Sequence, residues 1–144
     1  MNRLLLFLHY NPHDELSDHV LFWLKSLKPL YNRVVFVSNS RLSPSSALAL
    51  AEFTDHIMER GNRGFDFGGW KDAIFSEGIE AISGFDNLTL MNDSCFGPLF
   101  NFEEYVTEME GRGLDFWGNS IHPASKDGMP GTDGPVPMHV QSYF

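Results

Sequence analysis

The chain has 144 residues, 42% of them hydrophobic and 14% aromatic, which is one domain's length with enough apolar mass for a packed core. Its net charge of −9 opposes binding to nucleic acid or to anionic lipid, so a phosphorylated ligand would have to be held by a few local N–H groups, basic side chains or a divalent cation. With Cys95 as the single cysteine there is no internal disulfide and no thiolate metal cage, which suits a reducing cytoplasm.

In chain order, Arg3 to Tyr10 is a nearly continuous apolar run, the pattern of a central strand covered on both faces. It is too short to span a bilayer and lacks the marks of a secretory signal. After Asn11-Pro12, Leu16, Val20, Leu24 and Leu27 recur at helical spacing, predicting a helix to about Lys28, before Pro29. Arg33 to Ser38 reads as a second strand. Ser43-Pro44 is a cap and first-turn pair for a helix through Glu52, and His56 to Arg60 is a third, weaker strand.

Gly61 to Lys71 is expected to be a loop leading into a helix, its four glycines letting backbone approach a ligand. Leu88 to Met91 reads as a fourth strand, ending at Asn92-Asp93-Ser94. A helix from about Glu103 to Glu110 and a strand around Leu114 to Trp117 follow, then a Gly/Pro-rich loop or linker over 123–137 before His139 to Phe144. The alternation predicts one α/β domain over 1–144, with a mostly parallel sheet and helices on both faces. The chain stops inside an aromatic, polar segment, as a piece of a larger enzyme would.

Ligands of such sheets collect at the carboxyl ends of the strands, where Tyr10-Asn11, Asn39-Ser40 and Asn92-Asp93-Ser94 are expected to lie. Asp93 is a candidate ligand for Mg²⁺ or Mn²⁺ holding a diphosphate; the alternative is a plain turn or helix cap. Arg60, Arg63 or Lys71, near a helix start, would meet the diphosphate, and Asp66 would accept from sugar hydroxyls or orient a base. Phe65, Phe67 and Trp70 are read as core. His9 reads as a satisfied core histidine or a pocket wall. His139 is a candidate metal ligand, phosphate contact or acceptor-site residue, with a structural role equally open. Ser94 and Cys95 have no partner base for nucleophilic work.

Together, Leu6 to Tyr10, Val37 to Ser40, Arg60 to Lys71, Met91 to Pro98, Asp115 to Gly118 and His139 to Phe144 resemble the rhamnan synthesis protein F family of bacterial polysaccharide assembly. The resemblance implies a core similar to the GT-A glycosyltransferase fold. It implies transfer of a sugar, rhamnose above all, from a nucleotide-diphosphate donor such as dTDP-rhamnose to a growing cell-surface polysaccharide or lipid-linked acceptor. By that likeness Tyr10 and Asn39 face the nucleobase, Asn62 and Arg63 approach the ribose or diphosphate, and Asn92-Asp93-Ser94 takes the place of the Asp-any-Asp metal motif, with one carboxylate where that motif has two. Asp115 is then the candidate for the base that takes the acceptor's proton. The implied location is cytoplasmic, at the inner face of the membrane through partners. The alternative is a non-catalytic carbohydrate- or nucleotide-binding module; a metal-dependent phosphohydrolase would need more carboxylates near Asp93.

Overall fold

A computed structural model describes residues 1–127 and 134–141, with backbone only at 121–122 and 139–141. Four strands, β1 (Arg3–His9), β2 (Arg33–Ser38), β3 (His56–Glu59) and β4 (Asn87–Asn92), form one parallel sheet in the order β3-β2-β1-β4. The central pair is buried from Leu4 to His9 and from Val34 to Ser38, and this burial on both faces is why their sequences are apolar without alternation.

The first two crossovers carry α1 (Asp18–Leu27) and α2 (Pro44–Leu50) and step one way across the sheet; the third carries α3 (Phe65–Glu77) and the short α4 (Ile79–Ile82) back past β1 to β4. Crossovers of one hand that step in opposite directions put their helices on opposite faces. On one face Leu5, Phe7, Phe36 and Met91 pack with Val20, Trp23 and Leu24 of α1, Leu50 of α2, and Phe102 and Val106 of α5 (Phe102–Gly111). On the other, Leu4, Leu6, Leu8, Val35 and Val37 meet Trp70 and Ala73 of α3.

Local chemistry sets the helix ends. Ser43 Oγ accepts from Ser46 N at the start of α2, with Pro44 in its first turn. α1 has Asp18 in its first turn and Lys25 in its last, matching the helix dipole. α3 starts at Gly64 and stops at Gly78, both at positive φ.

Three expectations are corrected. The Gly61–Lys71 loop is helical from Phe65 onward, so Gly68 and Gly69 lie inside α3. Only Trp70 of its three aromatics is core; Phe65 and Phe67 are more than 70% exposed. Leu114 to Trp117 is not a strand: Trp117 packs edge-on against Tyr105, Phe116 is exposed, and the strand that follows is β5 (Ser120–His122), paired antiparallel with β6 (His139–Gln141). Ser125 and Val136 continue that pairing by an isolated bridge, so the Gly/Pro-rich stretch over 123–137 is the connection inside a two-stranded unit; its residues 128–133 lie outside the described residues.

Candidate functional site

In a doubly wound sheet the crevice opens where the strand order reverses, outside the strand carboxyl ends. Here that point lies between β1 and β4, where Leu8 pairs with Asn92 in register. His9 and Asp93 come next on the two strands, and the remaining polar turns gather around them in two groups, one on each face of the sheet.

On the α3 face the groups are bonded mainly to one another. Asn39, just past β2, donates through Nδ2 to Asn62 Oδ1 (3.0 Å) and to the carbonyl of Phe65 (3.2 Å). Arg60 donates from Nε to Asp72 (2.8 Å), from Nη1 to Asn39 Oδ1 (2.5 Å) and from Nη2 to the Arg63 carbonyl (2.7 Å), which uses three of its five N–H groups. Asn92 Nδ2 donates to Asp66 Oδ2 at 2.7 Å, joining the end of β4 to the first turn of α3.

Phe65 holds φ +49°, a left-handed conformation that costs a non-glycine residue roughly 1–2 kcal/mol. Its carbonyl contact with Asn39 helps offset that cost, and such strain concentrates at functional sites. The glycines serve this packing: a methyl at Gly69 would overlap Leu8 Cδ1, and one at Gly68 would overlap the Arg63 carbonyl. Two of the four glycines expected to admit a ligand are thus spent on seating α3.

On the α1 face the group is smaller and less saturated. His9 Nδ1 donates to Asp93 Oδ2 at 2.5 Å, and His19 Nε2 of α1 donates to the Asp93 carbonyl at 3.1 Å, its ring lying 4.5 Å from that of Phe96. His9 Nε2 is buried with no partner among the described residues, and no hydrogen bond to Asp93 Oδ1 is found among them. Trp23 Nε1 donates to the Cys95 carbonyl, which anchors the Asp93 turn to α1.

Two basic side chains belong to the α3 segment. Arg63 and Lys71 are exposed, and neither forms an ion pair among the described residues. The first turn of α3 has no side-chain cap, so its leading N–H groups are available to an anion. Beside it, an open cleft of about 730 Å³ is lined by Asp14, Asn39, Ser40, Arg41, Glu59 and Arg60, among others. Tyr10 stands exposed at the end of β1.

Of the residues singled out in the sequence, the structure gathers Asn39, Arg60, Asn62, Asp66, Asn92 and Asp93 at this edge, with Tyr10, Arg63 and Lys71 on its border. It does not bring in Asp115, which is exposed after α5, with no hydrogen bond or ion pair among the described residues to any of them. His139 sits opposite His122 in the β5–β6 register; its side chain lies outside what the structure describes. Sequence reading missed His19 and Asp72 and gave His9 no partner. The one local cue to His9 was a polar residue closing an otherwise apolar strand.

The family described as rhamnan synthesis protein F matches this chain over residues 34–144. An uncharacterized protein, y4gN, of Sinorhizobium fredii (strain NBRC 101917 / NGR234) is 32% identical over 111 residues, covering 77% of this chain but 27% of its own length. The chain therefore spans about a quarter of that relative. No solved structure matches the chain. Among the described residues no helix is long and apolar enough to cross a membrane.

Proposed function

This chain belongs to the rhamnan synthesis protein F family, and from that premise we propose that it forms the donor-binding end of a glycosyltransferase, gripping a nucleoside-diphosphate sugar such as dTDP-rhamnose for transfer to a surface polysaccharide or lipid-linked acceptor. The observation that carries the reading is the meeting of Asn39, Asn62, Asp66, Asn92 and Asp93 at the reversal of strand order in a parallel sheet. The free N–H groups of α3, with Arg63 and Lys71, supply donors and positive charge for the diphosphate. Asn39 lines the open cleft, where base and ribose would lie, and Tyr10 stands exposed at the end of β1.

Fit to a divalent cation rests on Asp93. The described residues contain no group of three metal-ligating side chains, so a cation would take Asp93 Oδ1 and complete its shell from donor phosphates and water, a common arrangement for Mg²⁺. Bound there, it would neutralise charge on the leaving diphosphate. The remaining work belongs to the chain: Asn92 holds Asp66 and keeps the α3 turn against β4, while Arg60 and Asn39 hold the Asn62 turn in place.

One observation favours the binding-module reading for this stretch of chain. Among the described residues Asp115, the candidate for the acceptor's base, makes no hydrogen bond or ion pair with Asp66 or Asp93, and one oxygen of each of those two carboxylates is taken, by Asn92 and by His9.

A thermal-shift screen of nucleoside-diphosphate sugars, with and without Mn²⁺, tests the proposal. A ligand at a hundred times its Kd stabilises the folded state by about 2.7 kcal/mol. A rise in Tm with one sugar nucleotide that disappears in Asn39→Ala is expected; no rise with any donor would end the reading.

A further inference from the structure

We infer that His9 is the positioning residue for Asp93: with its proton on Nδ1 it fixes one carboxylate oxygen and leaves the other for a ligand. The inference deepens, and rests on, the reading of Asp93 as a cation ligand.

His9 is 1% exposed, and its Nδ1 lies 2.5 Å from Asp93 Oδ2 across the β1–β4 reversal point. An ionised carboxylate only accepts, so the proton in this contact belongs to Nδ1. The opposite ring nitrogen, Nε2, is buried without a partner among the described residues. A second N–H there would be a buried donor with no acceptor among the described residues. The geometry therefore puts a proton on Nδ1, between the ring and the Asp93 carboxylate.

A histidine hydrogen-bonded to an aspartate through Nδ1 has the layout of a hydrolytic dyad, in which the aspartate orients the imidazole and Nε2 works as the base. That direction of service fails here, because Nε2 is enclosed and the ring stacks on Phe36 with centroids 5.6 Å apart. The dyad runs the other way, with the imidazole orienting the carboxylate. His19 completes the hold by donating to the Asp93 carbonyl, so the residue is fixed at backbone and side chain by histidines from β1 and α1. Hydrogen-bond partners behind a metal ligand are typically worth roughly 10- to 100-fold in metal affinity.

Two variants of equal polarity separate the roles of the two nitrogens. His9→Asn keeps an N–H near the position of Nδ1, whereas His9→Gln moves it toward that of Nε2. Mn²⁺ titrations in the presence of dTDP, of the wild-type chain, both variants and Asp93→Asn, read by paramagnetic broadening of amide signals around Ser94, are expected to show His9→Asn within about threefold of wild type. His9→Gln should be weaker by roughly 10- to 100-fold. Imidazole ¹⁵N shifts should show the proton of His9 on Nδ1. Equal affinities for the two variants, or a proton on Nε2, overturn the inference. Absence of Mn²⁺ broadening in wild type would remove Asp93 as cation ligand, and the ¹⁵N shifts would then decide separately whether His9 holds that carboxylate.

Discussion

The two ends of the parallel sheet are built on opposite plans. At the amino end, charges close on each other: Arg3 makes a two-point contact with Glu110 at 2.7 Å for both bonds, which Asn87 joins, while Glu77 takes Arg33 (2.6 Å) and His56 (2.7 Å). Asp55 takes Lys28 and the backbone N–H of Val34. At the carboxyl end a buried imidazole nitrogen has no partner, exposed arginine and lysine have no counter-ion among the described residues, and Phe65, Phe67 and Phe96 stand in solvent. One end spends its polar groups on holding strands and helices together. The other leaves some of them without a partner among the described residues, and the proposed donor site is drawn from these.

Three changes would break or sharpen this contrast. The largest effect is expected from Arg3→Ala, which leaves Glu110, only 7% exposed in its side chain, with Asn87 alone; the cost should be about 3 kcal/mol by urea denaturation. A loss below about 1 kcal/mol would show that the amino end is not the clamp described.

Next comes pH. The hydrogen bond from Arg3 holds the Glu110 carboxyl below the usual range, and at Glu77 the bonds from Arg33 and His56 outweigh the upward push of burial. A depressed carboxyl contributes stability that is present above its unfolded value, about 4.3, and is lost as pH falls through the folded value. Urea midpoints of wild type should therefore fall as the pH is taken from 6 to 3, and the fall should be shallower in Glu110→Gln. Parallel curves would remove Glu110 from the account.

The smallest effect belongs to Asp93→Asn, where the new amide oxygen can still accept from His9. Stability should stay within about 1 kcal/mol of wild type while any donor-induced Tm rise is lost. A cost above about 2 kcal/mol would make the carboxyl end a structural clamp as well and erase the distinction.

The central strands and the gathering of polar turns were legible because both follow from local pattern: apolar runs bounded by Asn, Asp and Ser. Gly68 and Gly69 were misread because the reason for them is a neighbour, Leu8 or the Arg63 carbonyl, that spacing alone does not reveal. Phe65 and Phe67 look like core in sequence, yet the start of α3 at the sheet's edge turns them outward. The apolar residues at 114–117 imitate a strand, although only Trp117 finds a packing partner there. His9 and Asp93 are 84 residues apart, and no local signal joins them; register alone does.

The missing side chain at Gly69 has a mechanical corollary. With Leu8 filling the space a methyl would need, α3 and β1 are keyed together like cog and rack, and close-packed interiors of this kind resist sliding. The first turn of α3 is thereby a fixed wall of the crevice, set against β1 by shape alone.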